Sequence, residues 1–247
     1  MKKENSFRTN VSTFNTETGD KIIYPFGPPI FQTEVDENFT NEILEEGRKL
    51  NMEDDDWNPR LAGNLKYGRS YHFKEEYQNK VEKYLLNYVE RFFNGLYEMY
   101  GPNINMINQL MSVKQHQYPL FKATTDNRQQ PGIMKLASLW INFSQKHDFN
   151  PPHTHDGELS FVLFCDVPHE IFEVQADSNT QRAGQLHFSY GEPITPLMGN
   201  EYPVKPYKNL LMIFPAELKH YVPSYWVDKE RVSVSGNFVV RPREGDK

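Results

Sequence analysis

The sequence predicts an α+β protein in which helices from the first half pack against an antiparallel β-roll built by the second half. Residues 75–100 carry apolar side chains at steps of three and four, which is the period of an amphipathic helix. From residue 135 onward, short apolar or alternating runs are separated by glycine, proline and other turn residues, a pattern typical of a β-sandwich or barrel. We therefore predict a double-stranded β-helix (jelly roll) for the second half, with packing helices contributed by the N-terminal half.

The first half predicts an arm, a short helix and a long helix. Residues 1–20 are polar with little periodicity, and we expect a flexible arm. Residues 22–31 predict short extended pieces interrupted by proline and glycine. Residues 38–52 predict the short helix, and residues 75–100 the long one, with Gly101 available as its C-terminal cap. The aromatic residues of the long helix indicate core packing against a sheet, not a cofactor site.

The second half contains five predicted strands and no internal repeat. The strands cover residues 136–143, 159–166, 185–190, 209–214 and 231–240. We expect the chain to divide into the arm (1–20), a helical and loop portion that packs on the core (21–132) and the β-helix core (133–247). The last two portions are expected to form one continuous domain.

Composition limits the classes of protein. The chain has 247 residues, of which 38% are hydrophobic and 14% aromatic, as expected for a folded protein with polar loops. The net charge of −6 carries no strong nucleic-acid signature. A single cysteine, Cys165, rules out an intrachain disulfide framework. Because the chain also lacks an apolar run of membrane-spanning length, we expect no membrane association and a cytoplasmic location.

Three histidines form a candidate metal site. His153 and His155 are two residues apart, so they share one face of an extended segment. His220 follows 65 residues later, just after an apolar run. Two histidines beside prolines also occur in surface loops, but imidazoles at strand ends suit a divalent transition metal. The remaining histidines lack this setting and are expected on the surface or in the core, with His187 on a predicted strand as a further candidate: His72, His116, His147, His169 and His187.

An arginine on the last predicted strand is a candidate for binding a carboxylate. Residues 231–238 alternate, with Val232 and Val234 on one face and Arg231 and Ser233 on the other. Such a polar face can simply meet solvent. In an antiparallel roll, however, Arg231 would lie near His220, where its guanidinium could hold a carboxylate through two hydrogen bonds and Ser233 could add a hydroxyl donor.

These motifs give the second half a family resemblance. It resembles the 2-oxoglutarate- and Fe(II)-dependent oxygenase superfamily and, within it, an oxygenase family common in tailed phages and marine bacteria. The matching segments, in chain order, are residues 140–142, 150–162, 184–188, 211–215, 220–222 and 231–233. The resemblance covers residues 136–240, whereas residues 1–132 match only loosely.

The resemblance implies an enzyme with Fe(II) at the mouth of the roll and 2-oxoglutarate as its cosubstrate. The 1-carboxylate and keto oxygen of 2-oxoglutarate would chelate the iron, while Arg231, Ser233 and Asn142 would bind around the 5-carboxylate. Oxidative decarboxylation of 2-oxoglutarate would then be coupled to hydroxylation of a substrate C–H bond. If the protein is phage-encoded, its expected location becomes the host cytoplasm.

The sequence departs from the usual metal ligands of that superfamily, which are His-x-Asp/Glu and a distal histidine. His155 stands where the carboxylate is expected, and Asp156 is one residue out of register. Two alternatives follow. Either a β-bulge turns Asp156 toward the metal in place of His155, or the metal is bound by His153, His155 and His220.

Three functions remain open at this point. The first is a 2-oxoglutarate-dependent hydroxylase acting on a protein side chain, a nucleic-acid base or a small metabolite. The second is a metal-binding β-roll that serves as a binding or virion-associated module, and the third is a three-histidine dioxygenase that does not use 2-oxoglutarate. Only the first requires Arg231.

We expect the loop 116–132 to cover the mouth of the roll and contact the substrate. Residues 52–67 are a second candidate for this role.

Overall fold

The computed structural model describes residues 12–25, 27–100, 132–173, 182–192 and 199–242. Within these ranges the chain forms twelve β-strands, two long helices and one short helix. The strands are β1 (Ser12–Asn15), β2 (Lys21–Tyr24), β3 (Ile30–Glu34), β4 (Arg69–His72), β5 (Gly132–Ser144), β6 (Asn150–His153), β7 (Leu159–Asp166), β8 (Leu186–Ser189), β9 (Glu201–Val204), β10 (Leu210–Pro215), β11 (Lys219–Val222) and β12 (Arg231–Pro242). The helices are α1 (Glu37–Arg48), α2 (Glu75–Tyr100) and α3 (Glu170–Glu173), and a 3-10 turn covers Asn58–Arg60.

The strands form two antiparallel sheets. The large sheet has the order β1-β2-β3-β10-β7-β12-β5-β4, and the small sheet has the order β6-β11-β8-β9. From β5 to β12 the chain passes back and forth between the two sheets, which is the winding of a double-stranded β-helix. The predicted α+β jelly roll is therefore confirmed. The predicted strand 159–166 coincides with β7, and the other four predicted strands overlap β5, β8, β10 and β12.

Alternate residues of the central strands enter two different cores. Val162 and Phe164 of β7 pack between the sheets with Leu186 and Phe188 of β8. Leu163, between them in sequence, packs on the opposite side of the large sheet. Strand β7 is therefore buried on both faces, so neither face needs polar side chains, and this explains its continuous apolar run.

The two long helices cover the outer face of the large sheet. Val81, Leu85, Phe92 and Leu96 of α2 are buried in one cluster with residues of β5, β7 and β12. The bounds of α2 are those predicted. No helix in the described part of the chain is long and apolar enough to cross a membrane.

Helix α1 ends earlier than the predicted residue 52. The Asp36 side chain accepts hydrogen bonds from the backbone N–H groups of Asn38 and Phe39 and so caps its start. At the other end, the Asn51 side chain accepts from the backbone N–H groups of Glu53 and Asp54. This local turn competes with the helical hydrogen bonds and explains why the helix stops at Arg48.

The N-terminal arm was predicted to extend to residue 20, and this boundary was wrong. Residues 12–15 form β1, which pairs with β2. Asp20 is buried and accepts hydrogen bonds from the Thr33 hydroxyl at 2.6 Å and from Arg91 Nε at 2.8 Å. The Thr18 hydroxyl also donates to Asp20 Oδ2 at 2.6 Å, so polar residues that suggested an arm are instead bound into the fold. Residues 1–11 lie outside the described part of the chain.

Candidate metal and cosubstrate site

The two sheets bring His153, His155 and His220 together. His153 is the last residue of β6 and lies directly opposite His220 of β11 in the strand register. His155 follows two residues later, and its backbone N–H donates to the Ala216 carbonyl at 2.9 Å. One ring nitrogen from each histidine lies within 4.8 Å of the other two. Among the described residues this is the one group of histidine, cysteine and acidic side chains close enough to hold a metal ion.

Backbone carbonyls determine which ring nitrogen of two histidines carries the proton. Nδ1 of His153 lies 2.7 Å from the Pro151 carbonyl oxygen, and Nδ1 of His220 lies 2.9 Å from that of Leu218. A carbonyl can only accept, so both Nδ1 atoms donate and both Nε2 atoms keep a lone pair when the rings are neutral. Hydrogen bonds of this kind are the usual orienting contacts of metal-binding histidines.

The third histidine points at the same place. Nε2 of His155 lies 3.2 Å from Nε2 of His220. The His155 ring also lies 5.6 Å, between centroids, from the Trp140 ring. At this distance the two Nε2 atoms form a hydrogen bond, in which one of them must carry the proton and donate it. With a cation between them, both could act as ligands.

All three imidazoles are held neutral at ordinary pH. Burial, and then the proximity of the other two histidines, lowers the pKa of His220 to about 3. Burial, and then His153, lowers the pKa of His155 to about 4. Burial also lowers the pKa of His153. Because a neutral imidazole is the form that binds a metal, this cluster is ready to accept a cation without first losing protons.

A glycine turn joins the histidine pair to β7. Gly157 has a φ of +104°, and a Cβ at this position would lie 2.7 Å from the Phe238 carbonyl oxygen of β12. The following residue, Glu158, donates its backbone N–H to that same oxygen at 2.9 Å. A side chain at residue 157 would therefore be strained and would push the turn off the sheet. The glycine of the His-Thr-His-Asp-Gly run thus fixes the position of His155.

Asp156, the alternative ligand, lies outside the histidine cluster. Its side chain is exposed, and it is not among the groups that converge within 4.8 Å. The backbone at residues 154–155 has already left the regular strand. A bulge could have brought Asp156 inward, but the chain instead directs His155 inward. The geometry therefore favours the histidine of the two alternatives.

Arg231 lies in the cavity behind the histidines. It is the first residue of β12, is 4% exposed, and donates from Nη1 to the Gly184 carbonyl at 2.8 Å. Its Nε is buried and has no hydrogen-bond partner among the described residues. Burial lowers the pKa of its guanidinium from the usual value. Burial of a cation with an unsatisfied hydrogen-bond donor costs free energy unless an anion binds beside it and accepts from that donor.

The alternation of β12 directs its polar face into the roll and not toward solvent. Val232 and Val234 are buried in the cluster under the helices, while Arg231, Ser233 and Ser235 line the cavity. Asn142 of β5 lies directly opposite Ser233 in the sheet. The cavity is lined by Leu61, Ala62, Gly63, Trp140, Asn142, Asn150, His153, His155, Phe161, Val162, Phe164, Leu186, Phe214, His220, Val222, Arg231, Ser233 and Ser235.

One wall of the cavity comes from the first half of the chain. Leu61, Ala62 and Gly63 line it, within the segment 52–67 that was the second candidate for the mouth of the roll. The backbone of the next residue, Asn64, bridges to Phe149, just before β6. The first candidate, residues 116–132, lies outside the described residues apart from Gly132 and stays a prediction.

A buried carboxylate holds this wall in place. Asp148 is 3% exposed and accepts three backbone N–H groups, from Gln145, Tyr67 and Gly68, at 2.7–3.0 Å. Sequence reasoning missed this carboxylate. No motif marks Asp148, because Tyr67 and Gly68, which donate to it, lie about 80 positions away.

Of the other histidines, those within the described residues lie away from the cluster. His187 faces the outer side of the small sheet, where its ring stacks on Tyr221 at 4.6 Å between centroids. It is buried, as one reading of the sequence expected, but it is not part of the metal-binding group. His72 stacks on Trp57, and His147 and His169 are exposed. His116 lies outside the described residues.

The family comparison concerns the segment that contains these residues. A family model described as "Putative 2OG-Fe(II) oxygenase" matches residues 138–237. The match begins in β5 and ends in β12, so it includes the three histidines, Asn142, Arg231 and Ser233. No curated protein matches the chain.

Solved structures similar to the chain include enzymes of several kinds. A Pseudomonas putida prolyl-4-hydroxylase is 15% identical, with a TM-score of 0.45 and coverage of 87% of this chain and 92% of that one. The viral collagen prolyl hydroxylase vCPH from Paramecium Bursaria Chlorella virus-1, a 2-oxoglutarate complex, is 8% identical, with a TM-score of 0.43 and coverage of 85% and 94%. HygX from Streptomyces hygroscopicus, with nickel and 2-oxoglutarate bound, is 9% identical, with a TM-score of 0.42 and coverage of 85% and 82%. Identity this low says nothing about the substrate.

Proposed function

We propose that the chain, whose residues 138–237 match a family model of 2-oxoglutarate- and Fe(II)-dependent oxygenases, is such an enzyme. In this proposal it hydroxylates its substrate with iron held by His153, His155 and His220 and with 2-oxoglutarate held by Arg231. The single observation that carries the proposal is the joint position of the three imidazoles and the buried guanidinium on the walls of one cavity. Neither the histidines nor the arginine alone would distinguish an oxygenase from a metal-binding module.

The histidine cluster fits a divalent transition metal. Its donors are neutral imidazole nitrogens, and two of the rings are oriented by backbone carbonyls. A shell of three imidazoles carries one negative charge less than a shell of two histidines and a carboxylate, so the net positive charge of the occupied site is greater by one. An anionic cosubstrate that chelates the metal would offset this charge.

The cavity behind the histidines fits the distal carboxylate of 2-oxoglutarate. The unpaired Nε of Arg231 is a donor that lacks an acceptor, and a carboxylate would supply one. Ser233 and Asn142 line the same cavity and add neutral polar groups. The remaining lining is largely apolar, including Phe161, Phe164 and Phe214, and excludes water from around the carboxylate–guanidinium pair.

Iron and 2-oxoglutarate, when bound, supply the oxidising chemistry, in which decarboxylation of 2-oxoglutarate is coupled to insertion of oxygen into a C–H bond. The chain's own residues bind and orient. Nε2 of each of His153 and His220 is presented as a ligand because its Nδ1 donates to a carbonyl. The Gly184 carbonyl accepts from Nη1 of Arg231, while Nε has no hydrogen-bond partner among the described residues.

In this proposal the substrate is a protein side chain, a nucleic-acid base or a small metabolite. It binds nearest to the wall of the cavity that Leu61, Ala62 and Gly63 form. We propose that the protein works in the cytoplasm and that residues from β2 onward form one domain.

A three-histidine dioxygenase that does not use 2-oxoglutarate is the second candidate function, because its metal ligands would be the same. It gives no role to the buried Arg231, whose Nε has no hydrogen-bond partner among the described residues.

Replacement of Arg231 tests the proposal. Arg231→Ala should weaken 2-oxoglutarate binding to the metal-loaded protein by about 2–5 kcal/mol, since it removes a charge-assisted contact in a buried cavity. Arg231→Lys should also bind poorly, because an ammonium cannot reproduce the two parallel hydrogen bonds of the guanidinium. Calorimetry with 2-oxoglutarate measures both, and Mn(II) binding should be unchanged in both. Wild-type affinity in Arg231→Ala would favour the module or the dioxygenase without 2-oxoglutarate.

A further inference from the structure

A serine from the first half of the chain contacts the proposed cosubstrate pocket through one side chain. Ser70 lies in β4, at the edge of the large sheet, directly opposite Asn142 of β5. Its side chain is fully buried, and its hydroxyl donates to Asn142 Oδ1 at 2.6 Å. Asn142 is itself 8% exposed and lines the cavity with Arg231 and Ser233. No motif in the sequence marks Ser70.

In the structure the Asn142 amide has one of its two orientations, the one in which Oδ1 accepts from the Ser70 hydroxyl. An asparagine side chain presents an accepting oxygen on one side and a donating NH₂ group on the other. With Oδ1 engaged by Ser70, Nδ2 is the group left for the cavity. The opposite orientation would offer the cavity an oxygen, which would repel a carboxylate. The direction of one buried hydrogen bond therefore decides whether Asn142 suits an anion.

Ser70 is itself held on both backbone sides. Its N–H donates to Asn58 Oδ1 at 3.0 Å, and its carbonyl accepts from the Trp57 N–H at 2.9 Å. The Asn58 side chain is fixed in turn by Asp56, whose Oδ1 accepts from Asn58 Nδ2 at 2.8 Å. These contacts fix the backbone of Ser70 opposite Asn142, and its buried hydroxyl donates to Asn142 Oδ1.

We propose that Ser70 is a positioning residue for the cosubstrate: it orients Asn142 so that Nδ2 donates to the distal carboxylate of 2-oxoglutarate beside Arg231. This inference rests on the proposed function, because it assumes that the cavity binds 2-oxoglutarate. It adds a residue outside the matched segment 138–237 to the determinants of cosubstrate binding. Ser70 is not among the residues that line the cavity, so it would act through its hydrogen bond to Asn142.

Ser70→Ala tests the proposal by calorimetry on the Mn(II)-loaded protein. The Kd for 2-oxoglutarate should rise about five- to tenfold, since the amide is then free to turn and a buried hydrogen bond is lost. The affinity for 2-oxobutyrate, which has the same chelating end but no distal carboxylate, should not change. Mn(II) affinity should not change either. Ser70→Cys keeps a similar volume with a weak donor and serves as a second variant with the same expected direction.

Ser160 provides a matched control. Its hydroxyl donates to Asn237 Oδ1 at 2.7 Å across β7 and β12, and neither residue lines the cavity. Ser160→Ala therefore removes a serine–asparagine hydrogen bond that is part-buried and away from the cavity, and it should lower the free energy of unfolding without changing the Kd for 2-oxoglutarate. In an Asn142→Ala background, Ser70→Ala should have no further effect on that Kd.

Two results would overturn the inference. One is a wild-type Kd for 2-oxoglutarate in both Ser70 variants. The other is an equal loss of 2-oxoglutarate and 2-oxobutyrate affinity, which would mark Ser70 as a structural residue only. Failure of the wild-type protein to bind 2-oxoglutarate at all would instead refute the proposed function, so the two failures are distinguishable.

Discussion

At the scale of single residues, hydrogen bonds from ring nitrogens to carbonyls prepare the histidines for a metal. His153 and His220 each donate from Nδ1 to a carbonyl two residues earlier in the chain. The contact is local, so the strand conformation itself provides it. A carbonyl acceptor also keeps Nε2 free at any pH at which the ring is neutral. The assignment of His155 depends on geometry alone, since no described residue accepts from its Nδ1.

Replacement of His220 tests the metal assignment. His220→Ala should abolish stoichiometric binding of Mn(II), or of Fe(II) under anaerobic conditions, because it removes the most buried of the three donors. His169→Ala is the control, since that side chain is exposed and distant in the fold. Equilibrium dialysis with metal analysis measures both, and circular dichroism checks the fold. Unchanged metal content in His220→Ala would show the assignment to be wrong.

A parallel comparison decides between the two neighbouring candidate ligands. His155→Ala should weaken metal binding strongly, whereas Asp156→Ala should leave it near the wild-type value, because Asp156 is exposed and outside the cluster. If Asp156→Ala weakened metal binding and His155→Ala did not, the turn at Gly157 would have to rearrange when the metal binds.

At the scale of elements, segments with a long periodic pattern were predictable and several short strands were not. Helix α2 and strand β7 have the predicted bounds because each carries a long, unbroken pattern. Strands β4, β6, β9 and β11 have four residues each and no period to detect. In β6, Pro151 and Pro152 argue locally against a strand, and the fold tolerates them because β6 is an edge strand of the small sheet.

The aromatic residues of α2 were predicted to be core residues, and a mutation tests that role. Phe92 is fully buried, with its ring 5.5 Å from that of Phe31 between centroids. Phe92→Ala should lower the free energy of unfolding by about 3–5 kcal/mol, since it leaves a cavity under the large sheet. Phe149→Ala, at a side chain that is 39% exposed, should cost much less. Urea unfolding measures both.

Mn(II) affinity of the folded Phe92→Ala protein should equal that of the wild type, because α2 lies on the opposite side of the large sheet from the histidines. A selective loss of metal affinity, with little loss of stability, would contradict the core assignment.

At the scale of the whole molecule, the buried histidines link stability to pH. As the pH falls below about 6.5, the unfolded chain takes up a proton on His220, whereas the folded chain does not until about pH 3. The unfolded state therefore binds more protons over this window, and the metal-free protein should lose stability as the pH falls. The lowered pKa values of His153 and His155 act in the same direction.

Urea unfolding of the metal-free protein at pH 7.5 and 5.5 measures this effect. The free energy of unfolding should be lower at pH 5.5, with His220 contributing about 1.4 kcal/mol of the difference. His220→Ala should reduce the difference by about that amount, and the exposed control His169→Ala should not. If the free energy of unfolding changed between the two pH values by the same amount in His220→Ala as in the wild type, His220 would be protonated at the same pH in the folded and unfolded chains.

The sequence predicted the jelly roll and the residues of the site for the same reason. Both depend on local patterns: apolar periods for the strands, and the His-Thr-His and Arg-Val-Ser spacings for the site. Ser70 and Asp148 carry no local signal, because each acquires its role from a partner far away in the chain. Residues 61–63 lie within the predicted segment 52–67, but that prediction did not name which residues line the cavity, and the sequence did not predict the substrate.

The most direct test of the central claim is an anaerobic titration of the Fe(II)-loaded protein with 2-oxoglutarate, followed by visible absorption. Chelation of the iron by 2-oxoglutarate should produce a metal-to-ligand charge-transfer band that saturates at one equivalent. His220→Ala should give no band, and Arg231→Ala should require a much higher concentration of 2-oxoglutarate. A wild-type protein that binds Fe(II) but shows no band at saturating 2-oxoglutarate would contradict the claim.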